Sequence, residues 1–217
     1  MAPSRNAVPD RWPDYTDHGS IVPGTRFVPF KVPLREAICS SLPSNMRFTP
    51  ERLLQQVQGL GLVIDLTNTD RYYDPNCMVS RGVAHTKIMC PGARVARVPN
   101  AQVVKSFFAA VGEFVAEPDN DGKLVGVHCT HGVNRTGYVV CRYMVDKLGI
   151  APATAIESFQ KARGTRFRQA RIKKVSVVLL KTFFKEKAMQ TMEKHFRSGR
   201  PLGETDPKGL TPCKGYY

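Results

Sequence analysis

The chain has 217 residues, 42% of them hydrophobic, which is enough to bury one core and fits one domain with tails at a typical size of ~100–200 residues. Its 32 Lys and Arg against 18 Asp and Glu give a net charge of +14, which attracts polyanions, although such an excess by itself more often means nonspecific charge than a dedicated polyanion site. Six scattered cysteines (39, 77, 90, 129, 141 and 213) exclude a dense disulfide scaffold, and the longest strongly apolar stretch, residues 175–184, is far short of the ~20 residues of a membrane span. With no secretory signal pattern at the N-terminus, a reducing compartment and no membrane contact are expected.

In chain order, Leu62 to Leu66 is a short apolar run broken only by Asp65, the pattern of a strand buried on both faces. Asn100 can cap a helix on which Val104, Phe107, Phe108, Val111 and Val115 recur at helical spacing, and both phenylalanines are expected in the core. Leu124 to Val127 reads as a second buried strand. Thr136 then opens a helix through Leu148, Gly149 supplies its C-cap, and Pro152 starts another helix ending near Arg163. Ile172, Val175, Leu179 and Phe183 share one face of a final amphipathic helix over 171–196, and the Gly, Pro and Lys content of 197–217 predicts a disordered tail. Residues 1–196 are thus expected to form the catalytic domain with an N-terminal extension. The class is α/β.

Between the second strand and its helix lies His128-Cys129-Thr130-His131-Gly132-Val133-Asn134-Arg135-Thr136-Gly137. A loop joining a strand end to a helix start aims backbone N–H groups and the helix dipole at one point, where an anion is favoured. That field lowers the pKa of Cys129 and suits it to nucleophilic attack. Arg135, six residues on, can grip two phosphoryl oxygens in a planar fork that lysine cannot reproduce. Thr136 can give its hydroxyl to the thiolate, His128 is expected to brace the loop, and Gly132 and Gly137 permit conformations and approaches that a Cβ hinders. Thr130, His131, Gly132, Val133, Asn134, Arg135 and Thr136 are therefore the candidate substrate-binding residues. A buried structural cysteine ahead of an ordinary helix is the bland alternative, and it requires five residue types to coincide at fixed offsets by chance.

Two other chemistries fail. The glycine spacing of 132 and 137 is that of a nucleotide-binding P-loop, but Tyr138 and Val139 stand where Lys and Ser or Thr are needed. His128, Cys129 and His131 lack a Cys-x-x-Cys or His-rich partner segment, so no metal and no cofactor are expected.

The loop, together with Gly61-Leu62-Val63-Ile64-Asp65-Leu66-Thr67-Asn68-Thr69-Asp70-Arg71-Tyr72-Tyr73, resembles the cysteine-phosphatase-type RNA 5′-triphosphatases. That group includes the triphosphatase domain of metazoan mRNA capping enzymes and the atypical dual-specificity phosphatases associated with RNA and ribonucleoprotein complexes. Asp10-Arg11-Trp12 and the words from Pro23 to Leu34 fit the latter more closely, and the resemblance runs from about Pro9 to Arg163. It implies a central mixed, mainly parallel sheet with helices on both faces and the active-site loop at a strand's C-terminal end. The implied reaction is metal-free removal of the γ- and then the β-phosphate from 5′-triphosphorylated RNA, where capping-type enzymes stop at the diphosphate. Association with ribonucleoprotein complexes, a monomeric state, and a location in the nucleus and also the cytoplasm are further implications. The alternative is a dual-specificity protein phosphatase.

Departures from the family bear on mechanism. Relatives commonly show Arg-Gly-His and then a Glu-Arg pair, whereas this chain reads Arg163-Gly164-Thr165-Arg166-Phe167-Arg168-Gln169-Ala170-Arg171. Protein phosphatases of this kind place an aspartate upstream of the cysteine to protonate a poor leaving group, yet residues 90–100 contain no Asp or Glu. Asp65, at a strand end, is the rival general acid, with a loop-bracing carboxylate as the favoured alternative. Arg71 divides between a triphosphate contact and a structural ion pair.

Overall fold

The computed structural model describes residues 6–92 and 98–164. Four strands, β1 (Phe27–Lys31), β2 (Leu60–Asp65), β3 (Ala84–Lys87) and β4 (Leu124–Cys129), form a parallel sheet in the order β1-β4-β2-β3. Beside it lie the short helices α1 (Glu36–Cys39), α2 (Pro50–Gln56) and α3 (Asn76–Val79), and the longer α4 (Ala101–Ala116), α5 (Asn134–Asp146) and α6 (Pro152–Arg163). Central strands covered on both faces must bury every side chain. β2 does so at all six positions, including Asp65.

Strand alternation divides the core in two. Phe27, Leu62, Ile64, Val125 and Val127 face a cluster completed by α4, α5 and α6, whereas Val28, Phe30, Leu60 and Val63 face Trp12, Ile38, Leu53 and Met78. The N-terminal segment covers the β1 edge. An isolated antiparallel bridge joins His18 to Phe30, Gly19 N–H bonds the Pro29 carbonyl, and Lys31 N–H bonds the Asp17 carbonyl. That bridge supplies the antiparallel component of an otherwise parallel arrangement.

Local chemistry sets the helix ends. The Asn100 side chain accepts the Val103 N–H at 2.9 Å and starts α4 as expected. Its buried face holds Val103, Val104, Phe107, Val111 and Phe114, so Phe114 takes the place expected of Val115, which is exposed, and Phe108 is only partly buried. Gly149 adopts a left-handed conformation after α5, where Ile150 N–H reaches back to the Met144 carbonyl. Gly164 ends α6 in the same conformation. The expected helix over 171–196 and the tail over 197–217 lie outside the described residues.

Candidate active site

β4 delivers Cys129 to the C-terminal edge of the sheet between Lys31 of β1 and the end of β2, and α5 starts five residues later. No side chain caps α5. Its first N–H groups are thus available to an anion at the loop's centre. Gly132 has φ +65°, and a Cβ there would overlap the Phe30 carbonyl, so the tight return of the loop past β1 admits glycine alone.

Cys129 is buried, which by itself disfavours a thiolate. The Arg135 guanidinium, the Thr136 hydroxyl and the N–H groups of Thr136 and His131 outweigh that burial and bring the thiol from 9.0 down to about 7. Thr136 Oγ1 is buried and has no other hydrogen-bond partner among the described residues, which leaves it to the sulfur. Arg135 is aimed rather than loose: Nη1 donates to the carbonyls of Leu66 at 2.9 Å and Cys90 at 2.7 Å, and Nη2 donates to Thr130 Oγ1 at 2.8 Å. A thiolate and a guanidinium held on one anion-binding loop can together receive and attack a phosphoryl group.

The remaining candidate residues divide between the loop and its supports. Thr130 orients Arg135, and its carbonyl accepts Val32 N–H at 3.2 Å. Val133 turns its side chain into the core and has only its backbone to offer the pocket, while Asn134 is half-buried at the first position of α5. His131 faces the N-terminal segment. Its Nε2 donates to the Asp10 carbonyl at 2.8 Å, and its ring lies 4.7 Å from that of Tyr15.

His128 is fully buried, and burial pulls its pKa from 6.5 to about 4. Its Nδ1 lies 3.4 Å from the Cys129 carbonyl, and its Nε2 lies 2.8 Å from the Tyr73 hydroxyl, which is itself 2.9 Å from His85 Nε2. His128 is a neutral brace, in line with its expected role.

Asp65 does not behave as a free acid. Its carboxylate accepts the Thr67 N–H at 2.7 Å and pairs with Lys87 at 2.9 Å, and Lys87 also bonds Thr67 Oγ1 and the Thr69 carbonyl. Burial opposes its ionisation, but His128, Lys87 and the Thr67 N–H outweigh it, so the carboxyl titrates below its ordinary 3.8. A group this acidic holds no proton to donate at neutral pH. These contacts are those of a loop-bracing carboxylate, the alternative favoured from the sequence over a general acid. Arg71 donates to the Ala7 carbonyl at 2.9 Å and lies 4.5 Å from the Tyr72 ring, contacts that fasten the N-terminal segment to the loop after β2. Among the described residues, no group of three His, Cys, Asp or Glu is placed to hold a metal ion.

Two contributors escaped the sequence reading. Arg163 reaches the loop from the end of α6, and Tyr73 bridges the two histidines. The Asp-Arg-Tyr-Tyr word marked Tyr73 without assigning it a task, and no spacing rule separates Arg163 from other helix-terminal cations.

Residues 46–175 match the family model described as the dual specificity phosphatase catalytic domain. Over 173 residues the chain is 44% identical to the RNA/RNP complex-1-interacting phosphatase homolog of Caenorhabditis elegans, covering 77% of this chain and 73% of that one. Over 163 residues it is 43% identical to the RNA/RNP complex-1-interacting phosphatase of Homo sapiens, covering 73% of this chain but 48% of that protein, so it spans about half the human relative's length. In fold it is similar to the crystal structure of PTPMT1 in complex with PI(5)P, with a TM-score of 0.55 and 19% identity over 81% of this chain and 99% of that one. The chain therefore belongs to the dual specificity phosphatases, the cysteine-based phosphatase family whose catalytic domain it carries.

Proposed function

We propose that the protein is a metal-independent RNA 5′-polyphosphatase. The reading rests on the leaving group. Residues 90–100 contain no carboxylic acid, and Asp65 is held ionised by Lys87, so the reaction suits a substrate whose leaving group departs without a strong proton donor. A phosphoanhydride releases a phosphate-terminated RNA end, a far better leaving group than a tyrosine or serine alkoxide. The names of the worm and human relatives and the basic charge of this chain point to RNA as the carrier of that anhydride.

Cys129 Sγ attacks the terminal phosphorus, and an S–P bond forms as the bridging P–O bond breaks and the electron pair leaves with the RNA diphosphate. Arg135 and the N–H groups of 130–135 hold the equatorial oxygens throughout. Water then cleaves the phosphocysteine to inorganic phosphate and free thiolate. A second cycle on the diphosphate end gives the monophosphate, with ribonucleoprotein complexes as the setting in which such ends are met.

The test uses 5′-triphosphorylated RNA labelled at the γ or β position, with EDTA present, alongside phosphotyrosine and phosphoserine peptides. Rapid EDTA-resistant release of γ- and then β-label, with slow peptide turnover, is the expected outcome. Peptide turnover equal to or faster than RNA turnover would replace this reading with that of a dual-specificity protein phosphatase.

A further inference from the structure

Arg163 has an unusual environment. Its side chain is 1% exposed and makes no ion pair among the described residues. Nε donates to the Gly132 carbonyl at 3.2 Å and Nη2 to the His131 carbonyl at 3.1 Å. The rest of the fork grips Thr16: Nη2 donates to its carbonyl at 2.8 Å, and Nη1 to its hydroxyl. Burying a cation among neutral oxygens is costly. Burial pulls this guanidinium from 12.5 to about 10, and the charges of Cys129 and Asp17 oppose that fall. Its two bonds to loop carbonyls place the cation directly behind the phosphate loop.

Peptide geometry gives these bonds a direction. In a planar trans peptide the C=O of one residue and the N–H of the next point opposite ways. Drawing the carbonyls of His131 and Gly132 back toward Arg163 turns the amides of Gly132 and Val133 the other way, toward the loop's centre. Two of the donors that hold a phosphoryl oxygen thus depend on one side chain behind them.

The segment that carries Thr16 is fitted to that task. Asp17 pairs with buried Lys31 at 3.0 Å, Ser20 N–H bonds the Ala162 carbonyl at 2.8 Å, and Gly19 lies so close to α6 that a Cβ would overlap that carbonyl. Thr16, Asp17, Gly19, Ser20 and Lys31 all precede the family-matched region, which begins at residue 46, whereas α6 lies within it.

We propose that Arg163, anchored by Thr16, is a positioning residue that aims the Gly132 and Val133 amides at the phosphoryl group, which makes the N-terminal segment part of the catalytic machinery. The inference is independent of which phosphate compound is the substrate. An aryl phosphate therefore serves as the assay, so that failure of the RNA reading leaves this test intact.

The experiment compares Arg163→Lys, Thr16→Val and Thr16→Ser in the full chain. Three quantities are followed: kcat and KM, thermal midpoint, and the pH dependence of iodoacetamide labelling of the Cys129 peptide by mass spectrometry. Arg163→Lys keeps a charge but loses the fork, and is expected to lower kcat about 100-fold with KM little changed, as for the loss of an oxyanion donor. Thr16→Val should lower kcat roughly tenfold, the order of one hydrogen bond to a charged group. In both, amides turned away from the loop's centre should favour the thiolate less, so the labelling midpoint should rise above about 7. Thr16→Ser, which restores the hydroxyl, should recover kcat and midpoint. A purely structural role would lower the thermal midpoint and leave the labelling midpoint in place, and that result would overturn the proposal. If Arg163→Lys does not fold, the two Thr16 variants decide: an unchanged labelling midpoint in Thr16→Val, or no recovery in Thr16→Ser, overturns it equally.

Discussion

Cys129 and Asp65 are both buried acids near the end of a strand, yet their surroundings push them to opposite uses. A thiol brought down to about 7 should make kcat/KM rise as pH increases through that value and level off above it, because the thiolate is the attacking form. A pH profile that keeps rising toward 9 would mean that Arg135 and Thr136 do not act on the sulfur. Asp65 has a lowered pKa in the folded state, so the stability it contributes is present above the ordinary carboxyl value of 3.8 and is lost as pH falls through the folded value. Asp65→Asn should therefore weaken the fold by about 1–3 kcal/mol at neutral pH and flatten that acid slope. Turnover of the anhydride per folded molecule should stay within about tenfold, and a loss of about 100-fold at full folding would reinstate a general acid. The sequence made Cys129 and Arg135 legible because a loop between a strand and a helix fixes their offset. It left Asp65 open because its partner Lys87 is 22 residues away and meets it only through the pairing of β2 with β3.

The turn from β4 into α5 concentrates the chain's conformational constraint. Gly132 combines a positive φ with a position against the Phe30 carbonyl of β1. Gly132→Ala should cost more than about 1 kcal/mol and lower kcat disproportionately, since the backbone must shift where the amides converge. A thermal midpoint and kcat near those of the parent would show that the loop has slack to absorb the methyl group. The two central strands and the three long helices could be read from runs and periods, since buried parallel strands and amphipathic helices write those patterns directly. The choice of Phe114 over Val115 could not, because both fit a helical period and only the α4 packing geometry decides between them. The N-terminal segment was illegible for another reason: Trp12 is buried and donates its indole N–H to the Val32 carbonyl, 20 residues on, a contact with no local periodic signal.

The basic excess is unevenly placed along the chain and largely separate from the catalytic charges. Of the 32 Lys and Arg, 13 lie in residues 165–217, against 4 of the 18 Asp and Glu. Lys31 and Arg163 are buried within the scaffold, so their charges are committed to internal contacts and cannot meet a long polyanion. Any attraction of RNA beyond its 5′ end must then come from the outer cations, whose interactions release counterions and are screened over roughly 8–10 Å at physiological salt. The pocket's own grip on a phosphoryl group, through Arg135 and inward amides, is short-ranged and far less exposed to screening. Apparent affinity for a long 5′-triphosphorylated RNA is therefore expected to fall at least about tenfold between roughly 50 and 200 mM salt, while that for a free nucleoside triphosphate falls much less. Measuring KM for both across a salt series separates the two contributions. Parallel slopes would mean that the outer cations play no part in guiding RNA, and that the pocket alone selects the phosphorylated end.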